Sequence, residues 1–496
     1  MLKRMQLESV KAWMADPKYG SLPLYTRIQR GVRQLILNGA LASGTPLPAT
    51  RELAKSLAVS RDTAEAAYAL LHTEGLIERR VGSGSFVAQM SNFSTLTKQS
   101  KSSSTSLKNP ELSQRGLKMS QGGAVREYSS SRAFIPGEPE TQTFPIKIWS
   151  RLQRQVLNDY GATALAHGDP QGNEELRSAI ADYINLERGA RATADRILIL
   201  TSSQQCMALC STMLLDKGDS VCIEDPAYFG AQRILDATGA NCIPIPVDSE
   251  GMRVDVLLQK GKKAKASFVT PSHQFPTGVT LSLERRLKLI DWANSHRAWI
   301  VEDDYDSEFH YAGKPVACMQ GLDNNNRTIY IGTFTKSLFP GLRIGYAVLP
   351  PELVSPFTVG RTLMDGHTAT ISQLTLARFI EEGHFGTHIR SMRHLYARRL
   401  EILSKLIITH LSDYVEVRIP SGGLQMPCLL KSEHSEAELV LAAKRNGIEI
   451  MGLSKLYATA NKEPGFLLGF AAYTEEEMTA GVKRLAKSFK SVRPRK

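Results

Sequence analysis

The chain has 496 residues, 42% hydrophobic and 22% charged, enough for two or three globular domains with sizeable cores. No run of 18 apolar residues occurs, and the start MLKRMQLESVKAW lacks the apolar stretch of a signal peptide, so the expectation is a cytoplasmic protein without a membrane span. The net charge of +12 is uneven: residues 1–131 hold 18 Lys or Arg against nine Asp or Glu, and the remainder 43 against 40, so the front end suits a polyanion.

From the N-terminus, LYTRIQRGVRQLILNGAL (24–41) places Ile28, Val32, Leu35 and Ile36 on one helical face. ATRELAKSL (49–57) follows with Thr50 as the expected N-cap and Leu53 and Leu57 turned inward. After a tight break at Ala58–Ser60, SRDTAEAAYALL (60–71) opens with Ser60 as N-cap and carries Ala64, Ala67, Leu70 and Leu71 on its core side. Helix, short turn, helix is the DNA-reading helix-turn-helix plan, in which the second helix offers its first turn to base edges. Here that turn exposes Arg61, Asp62 and Thr63, and arginine is the side chain best suited to guanine. IERRVGSGSFV (77–87) then reads as two short strands around a Gly-Ser-Gly turn, a wing whose Arg79 and Arg80 would meet phosphates. Ordinary surface charge would account for single arginines in this stretch equally well.

Residues 46–87, PLPATRELAKSLAVSRDTAEAAYALLHTEGLIERRVGSGSFV, resemble the GntR superfamily of winged-helix regulators. The resemblance implies a double-stranded DNA operator as partner, contacted by Arg51, Arg61, Thr63 and the wing around Gly82 and Gly84. The winged-helix domain is expected over 1–88. Residues 89–131 are rich in Ser, Thr, Lys and Gln and have too little apolar surface to offset the entropy of ordering them, so they read as a flexible linker.

From residue 132 onward, short apolar runs alternate with helix-length segments. The runs are RILIL (196–200), SVCIE (220–224), CIPIPV (242–247), ASFVT (266–270), AWIVE (298–302), TIYIG (328–332) and IGYAVL (344–349). This is the α/β pattern of a mainly parallel seven-stranded sheet covered by helices, with ligands bound at the carboxyl ends of its strands. The six scattered cysteines form no CxxC pair, and no metal is expected.

Two strand ends carry chemistry. WIVEDDYDSEF ends with Asp303 and Tyr305; YIGTFTKSLFPGLRIGY ends with Thr333, Lys336 and Arg343. An aldehyde cofactor needs an amine, a carboxylate for its ring nitrogen, and donors for its phosphate. From the residues alone, Asp303 and Asp304 would equally bind Mg²⁺ or cap a helix, and Lys336 would equally be a surface lysine.

The blocks HGDPQGNEELRSAIADYI (167–184), EDPAYFG (224–230), TPSHQFPTGVTLS (270–282), EDDYDSEF (302–309) and GTFTKSLFPGLRIGY (332–346) resemble fold-type I aminotransferases. With the GntR-like head, the whole chain looks like a MocR-type regulator. The resemblance implies pyridoxal 5'-phosphate held by Lys336 as a Schiff base. It further implies Asp303 on the pyridine nitrogen, Tyr305 on the phenolic oxygen, Tyr228 on the ring face, and Thr333 and Arg343 on the phosphate. Ser202, Ser203 and Gln204 of the TSSQQ turn would add phosphate donors, and His273 and Gln274 belong to the loop lining the ring. The implied body spans 132–496, with a smaller C-terminal α/β subdomain, and a homodimer is implied.

One departure concerns substrate binding. Aminotransferases of this fold clamp the substrate carboxylate with an arginine near the C-terminus, where this chain reads GFLLGFAAY, with Leu467 or Leu468 at the arginine position. The expected function is a regulator whose body senses a small amine, an amino acid or the cofactor itself. An active aminotransferase with an accessory DNA-binding head is the alternative.

Overall fold

The computed structural model describes residues 2–14, 17–89, 112–120, 133–312, 316–431, 434–460 and 462–492. They fall into two compact units divided between Pro110 and Glu111.

The first unit is built on four helices and a hairpin: α1 (Leu2–Met14), α2 (Leu24–Leu37), α3 (Thr50–Leu57), α4 (Arg61–Thr73), β1 (Ile77–Arg80) and β2 (Gly84–Val87). Ile28, Val32, Leu53, Ala64, Ala67 and Leu71 bury the faces that the helical spacing assigns to the core. The Ser60 side chain caps α4 by accepting a hydrogen bond from Thr63 N at 3.1 Å. Thr50 is not a cap. Ala49 holds that position and offers no side-chain bond, and Thr50 is the first helical residue. Leu70 is exposed, because it falls one residue off the Ala64–Ala67–Leu71 stripe. The sequence reading also missed α1, whose Val10 is buried in the head core while Trp13 stacks on Tyr19 with ring centroids 4.0 Å apart.

In the hairpin Ile77 pairs with Val87 and Arg80 with Gly84. Gly82 and Gly84 have φ of +78° and +101°, a conformation that glycine adopts without steric cost. Of the span 89–131, residues 90–111 and 121–131 lie outside the described residues. The part that is described includes a helix, Gln114–Ser120, which lies beside the helix Phe229–Thr238 of the second unit.

The second unit centres on an eight-stranded sheet. Its strands are β3 (Ile197–Leu200), β4 (Ser220–Asp225), β5 (Asn241–Asp248), β6 (Gly251–Met252), β7 (Ala264–Val269), β8 (Trp299–Asp304), β9 (Thr328–Thr333) and β10 (Gly345–Val348). The spatial order is β3-β10-β9-β8-β7-β4-β5-β6. The seven apolar runs are all strands, and β5, β4, β7, β8 and β9 are mutually parallel. β10 runs antiparallel to both its neighbours, and the two-residue β6, too short to leave a sequence pattern, pairs antiparallel with β5.

A second, antiparallel sheet has the order β11-β12-β14-β13, formed by β11 (Val415–Val417), β12 (Gln425–Leu430), β13 (Met451–Gly452) and β14 (Gly465–Gly469). Its strands alternate as a pleated sheet requires. Met426, Cys428, Phe466 and Leu468 enter the main core, whereas Leu467, Leu429 and Met451 join Phe275, Leu453 and Leu456 in a separate apolar cluster. Among the described residues, no helix is long and apolar enough to cross a membrane.

Removing the α4 cap should cost about 1 kcal/mol. Ser60→Ala is expected to speed hydrogen exchange at the α4 amides and leave amides of the second unit unchanged.

Candidate functional site

The carboxyl ends of β8, β9 and β4 bring the implied site residues into one region of the second unit. β8 ends in three consecutive acids, and the pleat sends each to a different neighbour. Glu302 accepts from Met319 N and Gln320 N at 2.8 and 3.0 Å. Asp304 accepts from Arg188 Nε at 2.9 Å, Ser307 Oγ at 2.8 Å and the Tyr330 hydroxyl at 2.7 Å. Asp303 lies between them, on the other face of the strand. Its Oδ1, like that of Asp304, is buried without a hydrogen-bond partner among the described residues, but Asp303 has nothing like the arginine and two hydroxyls that converge on Asp304 Oδ2.

That contrast separates two acids the sequence left equivalent. Burial opposes ionisation of Asp304, but Arg188 and the hydroxyls of Tyr330, Ser272 and Ser307 hold its carboxyl below the usual range. Asp303 has burial and the neighbouring carboxylates Asp304, Asp306 and Glu224 against it, with only Lys336 in its favour, and is pushed up to about 8. Burial likewise lifts Glu224 to about 7, although Thr270 and Gln274 hydrogen-bond it.

Lys336 sits on the single helical turn Phe334–Ser337 that follows β9. Its Nζ donates to the carbonyl of Gly137, 199 residues earlier in the chain. Gly137 has φ of +71°, and a Cβ there would lie 2.8 Å from the lysine Nζ. Thr333 caps the lysine's turn, and its hydroxyl donates to Thr335 Oγ1 at 3.0 Å. Arg343 is exposed and ends the turn Pro340–Leu342 with φ of +55°, a strained conformation of the kind that concentrates at functional sites.

The TSSQQ turn begins the helix Ser203–Leu214, whose first-turn N–H groups form an anion-favouring end. Ser202 caps it by accepting from Gln205 N. Gln204 accepts from the Tyr228 hydroxyl at 3.1 Å and donates to Gly230 O at 3.2 Å, tying that helix end to the tyrosine. Tyr228 and Tyr305 each meet Phe275 edge-on, at centroid distances of 5.6 and 6.4 Å. The two loop residues have anchoring bonds. His273 Nδ1 lies 2.8 Å from Asp306 Oδ1, and Gln274 donates to Glu224, Pro226 O and Phe275 O.

Sequence reasoning missed Gly137, Thr335 and Gln425, whose Nε2 lies 3.5 Å from the Tyr305 hydroxyl. Thr335 had a signal, since it alternates with Thr333 just before the lysine. Gly137 and Gln425 had none, because only the tertiary fold brings them to Lys336.

In the first unit, Arg51 and Arg61 are exposed at the starts of α3 and α4. Thr63 is half-buried, with its hydroxyl 2.7 Å from that of Ser60. Arg79 pairs with Glu65 of α4 at 2.5 Å, which fastens the wing to that helix. Arg80 pairs with Glu78 at 3.4 Å and lies 4.7 Å above the Phe86 ring. Gly82 and Gly84 form the open wing tip, with nothing within 4 Å of where their Cβ atoms would stand.

Residues 138–485 match the family "Aminotransferase class I and II", and residues 24–87 match "Bacterial regulatory proteins, gntR family". The chain is 35% identical over 468 residues to the probable rhizopine catabolism regulatory protein MocR of Rhizobium meliloti, covering 94% of each chain. It is 27% identical to the pyridoxine biosynthesis transcriptional regulator PdxR of Corynebacterium glutamicum, covering 91% of this chain and 93% of that one. Its fold matches the kynurenine aminotransferase of Pyrococcus horikoshii, solved with PMP, with a TM-score of 0.68 and 29% identity over 73% of this chain and 92% of that one. The chain belongs to the MocR-type GntR regulators, DNA-binding proteins that carry an aminotransferase-like domain for pyridoxal phosphate. The residues fit that cofactor, because a ring N–H would give the orphaned Asp303 Oδ1 the partner it lacks.

Two outcomes are expected. Without cofactor, folding keeps Asp303 protonated up to about pH 8, against about 4 when unfolded, so its contribution to stability is lost as pH rises between those values. Cofactor-free Asp303→Asn should therefore gain on the parent in thermal stability from pH 5.5 to pH 8; a gap that stays constant contradicts the assignment. On DNA selected from a random pool, Arg61→Ala should lose about 1–3 kcal/mol and relax preference at one position. Arg79→Ala and Arg80→Ala should weaken binding to all sequences and flatten the salt dependence.

Proposed function

We propose that the chain is a transcription regulator whose body uses pyridoxal phosphate to sense a small amine, while its head holds an operator. When bound, the cofactor supplies an aldehyde carbon that condenses reversibly with primary amines. Lys336 is the amine that holds it, and Asp303 keeps a proton on the pyridine nitrogen. Tyr305 hydrogen-bonds the phenolic oxygen, and Tyr228, fixed by Gln204, lies against the ring. Thr333, Arg343, Ser202, Ser203 and the first turn of the helix Ser203–Leu214 receive the phosphate. In the head, Arg51, Arg61 and Thr63 face the bases, and Arg79, Arg80 and the Gly82–Gly84 tip face the backbone.

The observation that carries this reading is Asp303, a buried carboxylate at the end of β8 whose Oδ1 has no partner among the described residues, in a chain that also carries Lys336 on the turn after the neighbouring β9 and a winged head. A DNA partner supports a cytoplasmic location. A homodimer suits paired half-sites and is tested by sedimentation at micromolar concentration. The likeness to PdxR, a regulator of pyridoxine biosynthesis, favours a second reading, in which pyridoxal phosphate is itself the sensed molecule.

Borohydride reduction of the cofactor-loaded protein should leave a stable covalent adduct that Lys336→Ala lacks. An adduct of equal yield in the variant would assign the cofactor to another lysine. Multiple turnovers over a panel of amines would make the chain an aminotransferase with an accessory head.

A further inference from the structure

The apolar cluster behind the site aromatics bears on which amine is sensed. Phe275, Leu453, Leu456 and Leu467 are all buried, and Tyr228 and Tyr305 pack against them. β14 decides which of its two leucines matters: Leu467 points into this cluster, while Leu468 points into the main core on the opposite face. A ligand whose amine reaches the Lys336 position thus has its remaining substituents beside an aliphatic and aromatic wall. The polar groups nearby, the Gln425 amide and the Tyr305 hydroxyl, are neutral.

Among the described residues, each buried arginine of the body already has partners. Arg188 is bound to Asp304 and Ser272, and Arg286 to the carbonyls of Leu281, Ala317 and Pro271. Arg361 is bound to Thr368 and Asp365, and Arg399 to Glu140 and Ala471 O. Arg177 donates to Gly172 O and Ala194 O. A carboxylate pressed against the wall would lose its water and gain no counter-charge, which weakens its binding.

We infer that the sensed ligand is a primary amine with no carboxylate on its amino-bearing carbon and a neutral, largely apolar body. Leu467 is the residue that sets this preference. The inference rests on the amine-sensing reading above and narrows it to a chemical class.

Pairs of compounds that differ by one carboxylate test it. The full-length, cofactor-loaded protein is titrated with isoamylamine and leucine, and with 2-phenylethylamine and phenylalanine. Cofactor absorbance and thermal stability are followed together. Each amine should bind about tenfold or more tighter than its amino acid. In Leu467→Arg the gap should narrow or reverse, if that variant folds; the comparison on the parent protein stands without it. Amino acids that bind as tightly as their amines overturn the inference. So does a loaded protein that responds to neither member of either pair, although cofactor retention would then leave the cofactor-sensing reading standing. A protein that takes up no pyridoxal phosphate overturns both.

Discussion

A buried carboxylate, Asp303, whose Oδ1 has no partner among the described residues is the constraint on which the site depends. Burying such a group costs free energy unless something hydrogen-bonds it. In Asp303 the cost appears as a carboxyl pushed up to about 8. Its sequence neighbours offset that cost: Glu302 accepts from two backbone N–H groups, and Asp304 has Arg188, Tyr330 and Ser307 on one of its oxygens. The parallel sheet makes this division possible, because the period-two pleat turns adjacent acids to opposite faces. Folding leaves Asp303 with an unmet acceptor and no ion-pair or hydroxyl partner like those of Asp304 among the described residues, and a protonated ring nitrogen would satisfy that acceptor.

The surrounding elements serve that arrangement by tying distant segments to one place. Gly137 brings its carbonyl to the lysine amine because it carries no side chain. Gln204 joins the start of the helix Ser203–Leu214 to Tyr228, and Gln425 brings the small sheet to Tyr305. A ligand that displaces Lys336 from Gly137 would act at once on the turn after β9 and on the segment around Gly137. Such a ligand changes DNA binding only by the difference in its affinity for two states of the chain, and the coupling is reciprocal.

Much of the fold was legible because buried parallel strands read as continuous apolar runs; all seven such runs are strands. The reversed direction of β10 left no trace, since an antiparallel strand buried on both faces has the same composition. The caps divided by geometry: Ser60 has the extended backbone that aims its hydroxyl at Thr63 N, whereas Thr50 already lies inside its helix. In the site, the residues alone did not separate Asp303 from Asp304, and only resemblance chose between them. The pleat and the partners of Asp304 supply the physical reason. The roles of Leu467 and Leu468 were similarly open until the register of β14 put Leu467 beside the aromatics.

In a regulator of this kind an amine bound in the body changes how the head holds DNA. The most direct measurement is fluorescence anisotropy of the full-length chain on a DNA fragment selected from a random pool. It is made with pyridoxal phosphate, with and without isoamylamine, and repeated in reverse by titrating the amine with and without DNA. The amine should change the DNA Kd by some factor, and DNA should change the amine Kd by the same factor. A DNA Kd that the amine leaves unchanged, in a protein whose cofactor absorbance shows the amine bound, would contradict the account.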